Sequence, residues 1–270
     1  EKQKPEKPSG YDAASGIGSV QGVNFVMKPI DTVTSGSIGH SAEEDNPPRW
    51  VNLTAYHISE TEVTQELWQE VMGNNPSGFQ GSWNPPAVGE VQMKRPVEMV
   101  TWYECIAFCN ELTKKTNSGA STTCVYYSDA EFKAVYTKDD ASAEKLPYAD
   151  WSKKGFRLPT EAEWEWAAKA GKDDAWAGTI MSSELKDYAW LSDTGADKKT
   201  HEVKKKKPNA YGLYDMTGNV IEWCWDWYWS DTTIYGKQDP TGKETGIERV
   251  RRGGSYFQDT TKATRMIRFG

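Results

Sequence analysis

The spacing of apolar residues along the chain predicts a few short strands and three helices. Alternating apolar and polar positions indicate strands over residues 22–30 and 50–58, with a further short strand at residues 125–127. Apolar residues three or four positions apart indicate helices, and these cover residues 62–72, 102–115 and 160–171.

Two threonines mark the starts of the longer helices. Thr101 is placed to cap the second helix, and Thr160 with Glu163 has the S/T-x-x-E spacing of a capping box at the start of the third. The segments 73–86 and 172–209 are rich in Gly, Pro, Asn and charged residues and are predicted to be irregular. The chain therefore combines little regular structure with long ordered loops, and such loops commonly carry function.

The amino-acid composition limits the classes of molecule that the protein is expected to bind. The 270 residues are 37% hydrophobic and include 13 Trp, which predicts a core built from large aromatic side chains. A net charge of −7 argues against a nucleic-acid partner, because phosphate binding needs a basic face. No apolar stretch approaches 18 residues, so no transmembrane segment is expected.

The N-terminal residues are charged and Pro-rich, EKQKPEKPSG, and cannot bury enough surface to fold. We therefore predict a flexible tether over residues 1–19 and a single domain over residues 20–270. A tether of this kind follows a removed signal peptide or a lipid-modified residue, so we expect a lipid anchor upstream of residue 1 and an extracytoplasmic position at the cell surface. An ordinary disordered N-terminus is the alternative.

Several clusters of reactive or charged residues are interpreted as structural. Cys105 and Cys109 lie four apart on a predicted helix without metal-ligand spacing, so the four cysteines are expected to be free thiols. Glu161, Glu163 and Glu165 cannot form an acid–base pair, because residues two apart point to different helix faces. Their expected role is support of the helix dipole. The basic run 204–207 is expected to be a solvated loop.

The segment with the clearest chemistry is residues 212–228, GLYDMTGNVIEWCWDWY, followed by residues 249–256, RVRRGGSY. Gly212 and Gly218 interrupt any helical run, and acidic side chains flank the backbone that these glycines turn. Carboxylate and carbonyl oxygens in such a loop suit a hard cation.

These segments resemble the formylglycine-generating enzyme, or sulfatase-modifying factor, family. Three earlier segments are similar to the same family in the same order: ISETEVTQELW, PVEMVTWYECIAFCN and FRLPTEAEWEWAAKAG. The resemblance implies an α+β C-type lectin fold in its formylglycine-generating-enzyme variant. That fold has short helices, small antiparallel sheets and long ordered loops.

The resemblance also implies a structural calcium ion. In the family this loop binds Ca²⁺ through a side chain at the position of Asp215, carbonyls at Gly218 and Val220, and the carboxylate at Glu222. Asp215 replaces the family's frequent Asn and adds charge. Ordinary loop hydrogen bonding by both acids is the alternative.

The residues that carry out catalysis in the family are not present at the matching positions of this sequence. Its oxidising enzymes carry two copper-binding cysteines after the RGGS-aromatic motif, and Gln258 and Ala263 stand at those positions. Without thiolates we expect no copper and no oxidase activity. His40, His57 and His201 are too scattered for the three-His iron site of related synthases. Ser255 lacks the G-x-S-x-G elbow of a hydrolase nucleophile.

A non-catalytic branch of the family, the variable proteins of diversity-generating retroelements, fits better. In that branch the segment after the motif is diversified at AAY codons, which leaves Gln258, Lys262 and Met266 fixed here. Arg265 and Arg268 are then expected to tie this segment to the acidic scaffold. The positions open to variation are Phe257, Asp259, Thr260, Thr261, Ala263, Thr264, Ile267 and Phe269.

The sequence thus predicts a surface-displayed protein that binds a protein or glycan ligand and is not an enzyme. An oxidase-like enzyme or accessory factor that has lost its cysteine pair is the first alternative, and a structural surface lipoprotein is the second. The residues expected to contact the ligand are Tyr228, Trp229, Tyr235, Phe257, Asp259, Thr261, Ile267 and Phe269.

Overall fold

The computed structural model describes residues 9–41, 43–232, 238–265 and 267–270. Within them, short strands surround a few helices in an α+β arrangement. The helices are α1 (Gln65–Met72), α2 (Trp102–Thr116), α3 (Lys138–Ser142) and α4 (Glu161–Lys169). The strands are β1 (Gly10–Asp12), β2 (Ile17–Val20), β3 (Val23–Ile30), β4 (Val33–Ile38), β5 (Arg49–Leu53), β6 (Tyr56–Ser59), β7 (Tyr126–Tyr127), β8 (Tyr148–Ala149), β9 (Glu222–Trp227) and β10 (Arg249–Arg252).

The largest sheet contains part of the segment predicted to be a tether. Its order is β1-β2-β3-β6, and all neighbours are antiparallel. Tyr11 packs on Phe156 with ring centroids 5.1 Å apart, which ties β1 to the core. The predicted tether is therefore wrong for residues 10–19, where backbone pairing and the contacts of the Tyr11 ring with Phe25 and Phe156 attach the segment to the domain. Residues 1–8 lie outside the described residues.

Three two-stranded sheets complete the strand framework: β4 with β5, β7 with β8, and β9 with β10. The strand predicted over residues 50–58 is split into β5 and β6, which pair with different partners. Between them the Asp239 carboxylate accepts a hydrogen bond from the Thr54 amide at 2.6 Å and turns the chain.

The starts of the two longer helices follow the predicted caps. Thr101 and Thr160 each form a capping box with the Glu three residues later. The first helix begins at Gln65 with Thr64 as its cap, later than predicted. Residues before it are extended, because the Val63 carbonyl accepts a hydrogen bond from the Val97 amide at 2.9 Å.

Two hydrophobic clusters form the main parts of the core. One lies around α1 and α2, where Trp68 stacks on Phe108 with ring centroids 4.9 Å apart. The other packs Trp164 of α4 against Cys224 of β9 and Val250 of β10. Helix α4 and the β9–β10 hairpin therefore form one unit, and this unit positions the candidate site.

Candidate functional site

The loop before β9 turns through three left-handed residues and brings two carboxyl groups inward. Asp215, Gly218 and Asn219 have φ values of 58°, 85° and 58°. At Gly218 a Cβ would lie 2.3 Å from the Trp190 carbonyl oxygen, so only glycine fits there. Asp215 is buried, and Glu222 begins β9 at the other end of the loop.

One of the two carboxyl groups, that of Asp215, lacks a full set of hydrogen-bond partners. Oδ2 of Asp215 accepts a hydrogen bond from the Lys204 amide at 2.9 Å, whereas its buried Oδ1 has no partner among the described residues. Burial raises the pKa of Asp215 to about 6. Burial and the nearby charge of Asp215 raise the pKa of Glu222 to about 7. Asp215 is buried and Glu222 is half-buried, and the charge of Asp215 makes ionisation of Glu222 more costly, which is an environment that favours a bound cation.

A third acid at this site was missed by sequence reasoning. Burial raises the pKa of Glu62 well above its usual value, and the charges of Asp215 and Glu222 add to the shift. Its carboxylate accepts hydrogen bonds from Asn219 Nδ2 at 2.8 Å and from the Val220 amide at 2.9 Å. Glu62 thus holds the loop in place. From the sequence, Glu62 in ISETEVTQ was recognisable only as an acidic residue in the first turn of the predicted helix.

The residues predicted to bind calcium have the oxygen donors that a hard cation requires. An orphaned buried carboxylate oxygen on Asp215 and the acid Glu222 are suitable donors, and the carbonyls of Gly218 and Val220 would complete the set. Among the described residues, no three His, Cys, Asp or Glu side chains are grouped as a metal site. A cation in this loop would therefore depend on backbone oxygens.

Buried ion pairs attach the segment after β10 to helix α4. Nη2 of Arg252 lies 3.0 Å from Glu161 and 2.5 Å from Glu165, one helical turn apart. Arg268 pairs with Glu161, and Arg265 lies 3.6 Å from Glu165. Although burial opposes it, the guanidinium groups of Arg252 and Arg268 hold the pKa of Glu161 below its usual value.

The glutamates of α4 thus have different tasks. Glu163 closes the capping box and pairs with Arg157 at 2.6 Å. Glu161 and Glu165 receive the arginines of the C-terminal segment, and the Asp226 carboxylate accepts a hydrogen bond from the Glu161 amide at 2.8 Å. In these contacts the acids bind arginines and backbone amides, as expected of structural acids.

Some of the predicted ligand residues lie on the outer side of this anchored segment. Phe257 is 72% exposed, and Thr261 is also exposed. Asp259 is partly buried, and its carboxylate accepts a hydrogen bond from the Thr261 amide at 3.0 Å, which starts a short 3-10 helix. Trp229, 43% exposed, carries the Lys243 amine over its ring at 3.1 Å.

Other predicted ligand residues are engaged in the scaffold. Tyr228 is half-buried and donates a hydrogen bond to Asp45 at 2.8 Å. Phe269 pairs through its backbone with Arg251, and the Ile267 carbonyl accepts a hydrogen bond from Arg252 at 3.2 Å. Tyr235 lies outside the described residues.

The two positions where the oxidising enzymes carry cysteine are polar or tightly packed here. The Gln258 side chain accepts a hydrogen bond from the Ser255 hydroxyl. Ala263 is buried, and its Cβ lies 2.7 Å from where a Cβ on Gly254 would stand. Its burial makes Ala263 unsuited to free variation, although it was expected among the variable positions. The four cysteines are free, and burial raises the pKa of Cys224 well above its usual value.

The histidines lie in separate environments. His201 is buried, with Nδ1 2.8 Å from Glu90 and its ring stacked on Trp190 at 3.8 Å. His40 and His57 are exposed on other elements. The three histidines thus differ in environment, one being buried and two exposed.

Comparison with known proteins identifies the family. Residues 17–269 match the sulfatase-modifying factor enzyme 1-like domain. The chain belongs to this family. A solved structure named Treponema denticola variable protein 1 is 49% identical, with a TM-score of 0.84 over 94% of this chain and 91% of that one. The predicted C-type lectin-type fold in its formylglycine-generating-enzyme variant is thereby confirmed, as is the resemblance to variable proteins.

Curated relatives of the family have different names. The chain is 34% identical to "Chaperone protein LppX" of Paenibacillus barcinonensis over 79% of this chain and 73% of the relative. It is 41% identical to the formylglycine-generating enzyme of Thermomonospora curvata, over only 42% of each chain. Within the described part of the chain, no helix has the length and apolarity needed to cross a membrane.

Proposed function

We propose that this protein is a non-catalytic binding protein of the cell surface that holds a protein or glycan ligand on its C-terminal segment. The proposal is supported by the division of residues 252–269 into buried side chains that contact α4 and side chains that are exposed to solvent. Arg252, Arg265 and Arg268 are directed into α4, where they meet buried carboxylates. Phe257 and Thr261, between them in sequence, are exposed.

With this division, the exposed side chains can be replaced, and the ligand contacts changed, while the fold is kept. The buried arginines fix the backbone, so exposed side chains between them contribute little to stability. Aromatic side chains at a surface supply contact area at low entropic cost, and Phe257 and Trp229 meet that description. The similarity to a variable protein supports diversification of this segment.

Catalysis by the family's oxidase route would need a pair of thiolates after the RGGS motif. Gln258 and Ala263 provide none, and the described cysteines lie elsewhere in the core. Calcium at Asp215 and Glu222, with the carbonyls of Gly218 and Val220, would serve structure only. Nucleic acid is not proposed as a partner because of the net charge of −7.

The binding proposal is tested by panning a random peptide library and a glycan array on the protein. Selected binders are then measured against the triple variant Phe257→Ala, Asp259→Ala, Thr261→Ala. We expect at least a tenfold loss of affinity, roughly that of removing one interface anchor, with a nearly unchanged melting temperature. A matched variant replaces Ile17, Leu146 and Ile180, which are exposed elsewhere, and should bind normally. Undiminished binding by the first variant would place the ligand on another surface.

The alternative function is that of an oxidase-like enzyme or accessory factor, and it rests on the relatives named formylglycine-generating enzymes. Incubation with a cysteine-containing sulfatase peptide, copper and oxygen separates the two functions. We expect no mass change in the peptide. A mass loss matching formylglycine would establish the enzyme.

Surface display and diversification have separate tests. A reverse-transcriptase gene beside a near-copy of the 3′ end of the coding sequence would support diversification. Protease treatment of intact source cells should remove the protein if it is displayed outside the membrane. Survival of the protein under conditions that digest known surface proteins would contradict display.

A further inference from the structure

A methionine just before helix α2 has a backbone conformation that methionine rarely adopts. Met99 has a φ of 60°, in the left-handed region, where the Cβ of an L-residue is sterically strained. Its side chain is 74% exposed, so burial of apolar surface does not offset the strain. The conformation must therefore be imposed by the residues around it.

The backbone on either side of Met99 is held by the fold. The Val97 amide donates a hydrogen bond to the Val63 carbonyl at 2.9 Å. The Val100 carbonyl accepts one from Trp223 Nε1 at 3.2 Å. Because the chain is fixed both before and after this turn, Met99 is held in the strained conformation with its side chain in solvent.

A line of contacts joins Met99 to the exposed part of the C-terminal segment. Its Sδ lies 3.0 Å from where a Cβ on Gly78 would stand. The next residue, Phe79, packs edge-on against Tyr256 with ring centroids 4.9 Å apart, and Tyr256 packs edge-on against Phe257 at 6.4 Å. Two exposed apolar side chains, Met99 and Phe257, thus lie at the two ends of this line.

The loop after Gly78 adds a third large apolar side chain. The Asn84 side-chain amide donates a hydrogen bond to the Gly78 carbonyl at 2.9 Å and closes the loop of residues 78–84. Trp83, directly before Asn84, is 93% exposed. Single exposed apolar side chains are common on proteins, whereas several along one line of contacts are typical of an interaction site.

The side chains of this surface suit a protein partner better than a glycan. Met99 and Phe257 offer no hydrogen-bond donor, and the Met99 thioether is only a weak acceptor. Glycan hydroxyl groups buried against them would lose hydrogen bonds to water without replacement, which is costly. An apolar protein surface has no such cost, and a flexible methionine beside aromatic anchors adapts well to it.

We propose that Met99 contacts the ligand of the C-terminal segment, and that this ligand is a protein that presents an apolar patch. The inference rests on the function proposed above and narrows its two ligand classes to one. The strain at Met99 then has a role, because it directs an adaptable side chain toward the bound partner.

The test uses peptides selected from a random library on the wild-type protein, together with a glycan array. Glycine adopts a φ of 60° without steric strain, so Met99→Gly should melt at or above the wild-type temperature. The same variant should weaken binding of the selected peptides by roughly tenfold. Met99→Asn, which also tolerates the left-handed conformation, should weaken binding equally and shows that the loss does not come from a more flexible backbone.

Two variants control for the backbone and for the side chain. Lys198→Gly relieves an exposed residue with a φ of 59°, and Met181→Ala removes another exposed methionine. Both should bind the selected peptides as wild type does. A clear fall in the melting temperature of Met99→Gly would show a structural role for Met99 and overturn the inference.

The binding results separate this inference from the proposed function. Peptides that the triple variant at residues 257, 259 and 261 no longer binds, but that Met99→Gly and Met99→Asn bind normally, would overturn the inference and leave the proposed function standing. Binders found only on the glycan array would have the same meaning. Binders that none of these variants affects would overturn both.

Discussion

Arg268 and Glu161 form a bidentate ion pair whose two side chains are entirely removed from solvent. Nη2 of Arg268 donates to Oε2 of Glu161 at 2.9 Å, and Nε donates to Oε1. Nη1 of the same arginine donates to the carbonyls of Asp45 and Trp229 at 2.6 and 2.7 Å. One side chain thus connects α4, the loop after β4 and the end of the β9 segment.

Arg268→Met should destabilise the fold strongly. It leaves Glu161 buried with Arg252 as its nearest remaining guanidinium at 3.0 Å. Removing one partner of a buried pair costs about 3–5 kcal/mol, and we expect a loss near the lower end in denaturant unfolding. Adding Glu161→Gln should recover part of that loss, because the uncompensated charge is then absent.

The exposed pair Lys207–Asp187, with side chains 60% and 44% exposed, provides the control. Lys207→Met should change the free energy of unfolding by less than about 1 kcal/mol. An equally small effect of Arg268→Met would contradict the anchoring role given to this arginine.

Chelation of calcium should lower the melting temperature if the loop holds the ion. A ligand that binds only the folded state stabilises it by about 2.7 kcal/mol at a hundredfold excess over Kd. Asp215→Ala should abolish the response to chelator, whereas Asp129→Ala, in an exposed turn, should keep it. Identical melting of metal-free and calcium-loaded wild-type protein would rule out the site.

The same loop should make the metal-free protein less stable as pH rises. The pKa values of Asp215 and Glu222 are raised to about 6 and about 7 from 3.8 and 4.5. The folded state therefore binds more protons than the unfolded chain between pH ~4 and ~7, and stability falls across this window.

Asp215→Asn isolates this effect. Without metal the variant should be more stable than wild type at pH 8, by on the order of 2–3 kcal/mol, and near wild type at pH 4. With saturating calcium the sign should reverse, because Asp215 then has a counter-ion. Parallel pH profiles of the two proteins in chelator would argue against the raised pKa.

Substitutions at neighbouring positions of the C-terminal segment should differ sharply in how much they lower the free energy of unfolding. Ala263 is 1% exposed and contacts the backbone turn at Gly254, so Ala263→Phe should cost at least about 1–3 kcal/mol by overpacking. Thr261→Phe adds its ring to an exposed surface and should stay within about 0.5 kcal/mol of wild type. Thermal unfolding of the two variants compares them directly, and equal losses would show that the outer side is also packed.

Local signals predicted local structure well. The capping boxes at Thr101 and Thr160 were predictable, because the interacting residues are three apart. Strands β1 and β2 were missed because they are only three and four residues long and each contains a glycine. Gly18 leaves room for the Phe25 ring, where a Cβ would lie 2.1 Å from a ring atom, and a sequence pattern does not reveal such a fit.

The candidate site was predictable only where its residues are close in sequence. Asp215 and Glu222 belong to one motif and were predicted as a pair. Glu62 reaches the same loop from 157 residues away through Asn219, and Glu161 meets Arg268 across 107 residues. Periodicity does not encode such pairings. Only the general expectation that Arg265 and Arg268 meet an acidic scaffold came from the sequence.

The arginine anchors also have a consequence for the order of events during synthesis. Helix α4 is complete when residue 169 emerges from the ribosome, and Arg49 already lies 4.0 Å from Glu161, but the nearer counter-charges for Glu161 and Glu165 are at residues 252, 265 and 268. Until those residues arrive, the two carboxylates cannot be buried without a large cost. The nascent domain must therefore keep this face of α4 open to water until the arginines of the segment proposed to bind ligand have been synthesised.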